Sequence, residues 1–152
     1  MKKPQSNLGL LFQLKQSQLD KVKQRLREKE KPMRVGYVVL YVTDAEACLK
    51  FWTEKVGMVE KGRKHAGEFS IVQVGFADQQ FSFELVPLAL MANNPDGLDL
   101  ATPSIAFKVD DLAATHAKLV AAGVQAMEPG EHGGIPSFPF SDNEGRWFAV
   151  TN

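Results

Sequence analysis

A few side chains in this sequence are placed to do chemistry, and Glu84 is the sharpest of them. It stands between Phe83 and Leu85 in the run FSFELV. A carboxylate in such surroundings must be paired, hydrated or protonated. It suits a ligand contact or a general base, and equally a structural ion pair with Lys108 from the other half of the chain. His132 lies in the glycine-rich stretch GEHGGIPSFPF, where an imidazole can serve as acid, base or ligand contact, or simply face water. Glu84 and His132 are therefore the two candidate catalytic groups, and whether any turnover occurs stays open. His65, in the turn RKHAGE, reads as exposed, and His116, in register with Leu112 and Leu119, as packed on a helix. Tyr37 and Trp147 offer broad faces for stacking. Gly133 and Gly134 set loop geometry, since no strand–loop–helix context for phosphate follows them.

The elements that must position these groups repeat. VGYVVLYVTDAEACLKFWTEKVGM and PSIAFKVDDLAATHAKLVAAGVQAM each run from a β-rich stretch through an aspartate and a helical stretch to a glycine. Thr43 and Glu46 have capping-box spacing. Asp111 can cap the second helix, and Gly57 and Gly123 suit the left-handed position after a helix. Trp52, Phe51 and Cys48 fall on the apolar side of the first helix. Further strands are expected near 58–63, 69–75 and 81–86, then near 124–127, 136–140 and 146–151. The pattern is βαβββ twice, an internal duplication. Modules 34–87 and 103–152 are joined by a linker, 88–102, rich in turn-formers.

Strand alternation separates two faces. Val38, Leu40, Val42, Phe83, Leu85, Ile105, Phe107, Phe148 and Val150 form an apolar face that should carry the helices. The opposite face is mixed: Tyr37, Tyr41, Glu84, Ser104, Lys108 and Trp147 among smaller residues. A mixed face can lie open to water. Yet tyrosine and tryptophan beside a few polar groups are what a ligand pocket uses.

The chain has 152 residues, 44% hydrophobic and 24% charged, with ten Phe and two Trp, which excludes wholesale disorder. No apolar run is long enough to span a membrane, and no secretory signal is evident at the N-terminus. The single cysteine, Cys48, excludes an internal disulfide and a cysteine-based zinc site. A reducing cytoplasmic setting is expected. Charge is unevenly spread: residues 1–34 hold ten Lys/Arg against three acids, a net of +7, and the remainder carries −7. Residues 1–33 read as a basic arm whose amphipathic helix, 8–30, ends at Pro32. Without interleaved aromatics the arm is a poor nucleic-acid binder. Docking on acidic protein surface is the preferred reading, and recruitment of a partner or nucleic acid the alternative.

The paired modules, the openings LYVTDAEACLKFWTEKVG and FKVDDLAATHAKLVAAG, and the closing SDNEGRWFAV resemble the vicinal oxygen chelate superfamily, which includes glyoxalase I, extradiol dioxygenases and bleomycin-resistance proteins. The resemblance covers residues 34–152. It implies an α+β fold of two βαβββ modules forming curved mixed sheets, here with an N-terminal amphipathic helix added, and commonly a homodimer. Metal-binding members carry ligands on the first and last strands of each module. Those positions here hold Tyr37, Glu84, Ser104 and Ala149, so one strong donor of four remains. The resemblance thus implies no metal and no cofactor, and a metal-independent small-molecule-binding protein whose ligand meets Tyr37, Glu84, Ser104, Lys108, His132 and Trp147. A metal-dependent lyase, dioxygenase or transferase with substituted ligands is the alternative.

Overall fold

The computed structural model describes residues 7–29 and 33–152. The expected helix end at Pro32 lies outside the described residues, as does the basic start of the chain. Contacts divide the chain into two units, Met1–Arg34 and Val35–Asn152. The first unit contains α1, Asn7–Lys29, whose last turn places Arg27 and Lys29 where cations complement the helix dipole. Its Leu19, Val22 and Leu26 are exposed.

In the second unit the two helices begin and end alike. Asp44 adopts extended backbone and its side chain accepts the Ala47 N–H, starting α2, Ala45–Glu54. Asp111 does the same for Ala114 at the start of α3, Leu112–Ala121. Both are N-caps that satisfy a first-turn amide. Gly57 (φ 90°) and Gly123 (φ 81°) then supply the left-handed turn after each helix, where a side chain would be strained. The expected capping box of Thr43 and Glu46 does not form. The cap is one residue later, so Glu46 cannot reach back and pairs instead with Arg63.

The strands are β1 (Val38–Val42), β2 (Val59–Ala66), β3 (Phe69–Gly75) and β4 (Phe83–Pro87) in the first module. The second module has β5 (Ala106–Lys108), β6 (Gly130–His132), β7 (Ile135–Ser141) and β8 (Trp147–Thr151). Each module builds one four-stranded mixed sheet, in the orders β1-β4-β3-β2 and β5-β8-β7-β6. In each, the first and last strands of the module run parallel, side by side. This is the duplicated α+β architecture expected. The strand expected at 124–127 is instead a single bridge, Ala126 to Phe140. Pro139 on β7 has no N–H to extend that ladder. The second strand of the module starts only after Pro129.

The apolar face carries the helices. Leu40, Val42, Val72, Val74, Phe83, Leu85, Phe138, Phe140, Phe148 and Val150 are buried, and one core contains residues of both modules. Trp52 of α2 is fully enclosed by Phe51, Phe83, Phe107, Phe140 and Phe148, with ring centroids 5.0 to 6.1 Å away. Three of these rings belong to the second module, so a first-module side chain is the centre of a joint core. Its Nε1 finds no acceptor among the described residues. Cys48 is buried beside it, and His116 packs edge-on to Phe138 at 4.9 Å, as their helical positions suggest.

Candidate functional site on the mixed sheet faces

On the first sheet, register places Val39, Glu84, Gln73 and Gly62 in one row across four strands. Every residue of β4 is buried, so Glu84 sits low in this face, 7% exposed. Its Oε2 accepts a hydrogen bond from Gln73 Nε2 at 3.0 Å. Gly62 lies at a register shift in β2. A Cβ there would come to 3.0 Å from Gln73 Oε1, so glycine leaves room for the amide. Two residues either side of Val39, on the same side of β1, stand Tyr37 and Tyr41. Tyr37 is 49% exposed.

On the second sheet the corresponding rows are Ala106–Ala149–Pro139 and Lys108–Thr151–Ser137–Gly130. Trp147 opens β8 opposite Ser141 and is 43% exposed. Lys108 is exposed at the end of β5, and Ser104 precedes that strand, also exposed. His132 was expected in a loop before a strand. It ends β6 at the outer edge of the sheet, its Nδ1 2.9 Å from Ser137 Oγ, and the turn beyond it is made by Gly133 and Gly134 with φ of 60° and 78°.

The six residues singled out from sequence thus divide between the sheets. Tyr37 and Glu84 belong to the first; Lys108, Trp147 and His132 to the second, with Ser104 just ahead of it. Lys108 does not pair with Glu84: no ion pair joins them, and the glutamate's partner is Gln73. The register explains this, since the two residues lie in separate sheets. A cavity of about 380 Å³ opens elsewhere, between the start of β1, the β3–β4 loop and β5, lined by Val38, Met58, Phe76, Phe81, Ser104 and Phe107 among others. Of the six, only Ser104 lines it.

The donor set does not fit a divalent metal. Tyr37, Ser104 and Ala149 supply a neutral phenol, a neutral hydroxyl and no donor at all, leaving Glu84 alone. Among the described residues no three His, Cys, Asp or Glu side chains gather as a metal site.

Two features escaped the reading of the sequence. Gln73 is one; an amide inside the apolar run FSIVQVG was its only signal. The other is a strut between modules. Glu144, in the turn before β8, accepts the N–H groups of Thr43 and Asp44 at 2.8 and 2.9 Å. Arg146 donates to Glu144 (2.8 Å), to Asp142 (3.1 Å) and to the Tyr41 carbonyl (2.7 Å). Asp142 in turn accepts the N–H groups of Glu144 and Arg146. The turn DNEGR therefore holds the end of β1 and the start of α2, and with them one flank of the first mixed face. Burial is the largest single influence on the Glu144 carboxyl and works to raise it. The bonds from Thr43, Arg146 and Asp44 together outweigh that and hold it below the usual carboxylate range.

Comparison with known proteins agrees with this geometry. The family model described as "Glyoxalase/Bleomycin resistance protein/Dioxygenase superfamily" matches residues 34–150. YetH of Bacillus subtilis (strain 168) is 28% identical over 119 residues, covering 77% of this chain and 96% of that protein. Among solved structures, UcmS2 superposes with a TM-score of 0.66 at 24% identity, covering 80% of this chain and 98% of that one. TnmS3, an antibiotic binding protein from Streptomyces sp. CB03234, gives 0.64 at 21% identity, with 79% and 95% coverage. A superfamily member from Sphaerobacter thermophilus DSM 20745 gives 0.66 at 20%, with 79% and 97% coverage. At these identities the structural matches speak for the fold. With the family model spanning all of the second unit but its last two residues, the chain belongs to the glyoxalase/bleomycin resistance protein/dioxygenase superfamily.

Proposed function

We infer that this chain is a metal-independent small-molecule-binding protein. The observation that carries the reading is the composition of the mixed faces. Two large aromatic rings, Tyr37 beside the first sheet and Trp147 on the second, stay about half exposed, while a carboxylate, Glu84, is buried on the mixed face of the first sheet. Exposed aromatic rings give a ligand broad faces to stack on, and a few polar groups among apolar ones give it its orientation. Tyr37, Glu84, Ser104, Lys108, His132 and Trp147 are the ligand contacts in this reading, and TnmS3, a relative in fold described as antibiotic binding, makes a small organic ligand a reasonable class. A second copy packed against these faces, in a homodimer, belongs to the same proposal. The family's metal-assisted chemistry is not part of it, because the donors at the corresponding positions are unsuited.

The test is a thermal-shift and calorimetric screen of a panel of aromatic natural products and antibiotics, followed by Trp147→Ala on any hit. Saturable one-to-one binding per chain, weakened about tenfold or more by Trp147→Ala, is expected. Binding that survives that substitution and Glu84→Gln together would remove the mixed faces from consideration.

A further inference from the structure

The Glu84 row says more about the ligand than the fold does. Glu84 is more than nine-tenths buried, yet none of the cations among the described residues comes within 4 Å of it. Buried carboxylates are ordinarily matched by a cation or by several hydrogen-bond donors. Here one donor is found, Gln73 Nε2, and it engages only Oε2. Oε1 has no hydrogen-bond partner among the described residues, and it is not among the buried polar atoms sealed from contact. So one oxygen is held by the protein and the other is accessible and unmatched.

The arrangement is built in layers. Gly62 leaves space for the Gln73 amide, and Gln73 fixes the carboxylate's orientation through a bond between paired positions of β3 and β4. Lys64, opposite Ile71 on the same face of the sheet, is exposed and makes no ion pair with Glu84. Val39 is the strand neighbour on one side, Tyr41 is its diagonal neighbour on β1, and Tyr37 stands just before that strand. Electron-rich rings beside a lone carboxylate favour a cation, and the acceptor-only oxygen favours one with N–H bonds to give.

Resting on the small-molecule reading above, we propose that Glu84 Oε1 receives a protonated primary or secondary amine of the ligand, with Gln73 as the positioning residue that presents it. The ligand class is then an arylalkyl amine, its ring against the exposed aromatics and its ammonium on Glu84. A neutral hydroxyl would satisfy one acceptor and leave the charge unmatched. A carboxylate would be repelled.

Three probes with one ring system separate these cases: tryptamine, tryptophol and indole-3-acetate, titrated calorimetrically into the full chain at pH 7. Tryptamine should bind about tenfold or more tightly than tryptophol, and indole-3-acetate most weakly. Glu84→Gln, nearly the same shape, should abolish the preference for the amine while tryptophol binding persists. Gln73→Leu should shrink the amine-to-alcohol ratio several-fold without shifting the thermal midpoint enough to report unfolding; a purely structural Gln73 would move the midpoint and leave the ratio alone. Equal affinity for amine and alcohol, or an amine preference untouched by Glu84→Gln, overturns the assignment and leaves small-molecule binding standing. Failure of all three probes to bind at millimolar concentration also overturns it, and the wider ligand screen then judges the proposed function by itself.

Discussion

Cys48 illustrates how surroundings decide a residue's chemistry. Its thiol is pushed up to about 12, first by burial and then by the neighbouring Glu144 charge, so the nucleophilic thiolate is suppressed. A thiol reagent such as DTNB should therefore leave the native protein unlabelled at pH 8 and modify one cysteine per chain in denaturant; fast labelling without denaturant would contradict the buried placement. Glu84 is the opposite case, a carboxyl group kept at low exposure with one oxygen free of any hydrogen bond among the described residues. Its importance was visible in the run FSFELV, because an acid between two apolar residues demands a reason. The identity of its partner was not visible. Strand neighbours come from pairing, and Gln73 lies eleven residues upstream on β3, whereas the expected Lys108 falls in another sheet.

At the scale of elements, the turn Asp142–Arg146 serves as a clamp rather than as a plain connection. Its glutamate covers the exposed amides at the start of α2 and meets the positive end of the helix dipole. Glu144→Gln should cost about 1–3 kcal/mol, since charge-assisted bonds become neutral ones and Arg146 loses its closest anion, read as a lowered urea midpoint. The pH dependence has a definite sign. The folded-state carboxyl of Glu144 titrates below its unfolded value. Its stabilisation is therefore complete above the ordinary glutamate range and fades as pH falls through the lower, folded value. The wild type should lose stability relative to Glu144→Gln on going from pH 6 to pH 3, and parallel curves would show that the clamp is not ionic. Helix starts follow simpler rules: Asp111→Ala removes the α3 cap and should cost about 1 kcal/mol.

For the whole molecule, Trp52 is the test of unity. Because it touches Phe83 in the first module and Phe107, Phe140 and Phe148 in the second, the modules of residues 35–152 should unfold together. Trp52→Ala should cost about 3–5 kcal/mol and still leave one coincident transition by circular dichroism and by Trp147 fluorescence. Two separated transitions would mean the modules are energetically independent. Among the described residues no helix is long and apolar enough to cross a membrane, which accords with the short apolar runs of the sequence.

Much of this is legible in the sequence. Repetition of strand, aspartate, helix and glycine announced two like modules, because N-caps and left-handed glycines are local requirements written in adjacent residues. Alternation along strands showed which face carries the helices, since burial has the same period as the pleat. The strand at 124–127 failed because a ladder needs donors on both sides, and Pro139 withholds one from a segment far along the chain. Which side chains of the mixed faces meet was likewise beyond the sequence. Register between strands separated by many residues pairs Glu84 with Gln73, parts it from Lys108, sends His132 to a sheet edge and brings Glu144 onto a helix a hundred residues earlier. Such pairings depend on the summed packing of the whole fold, and no local pattern encodes them.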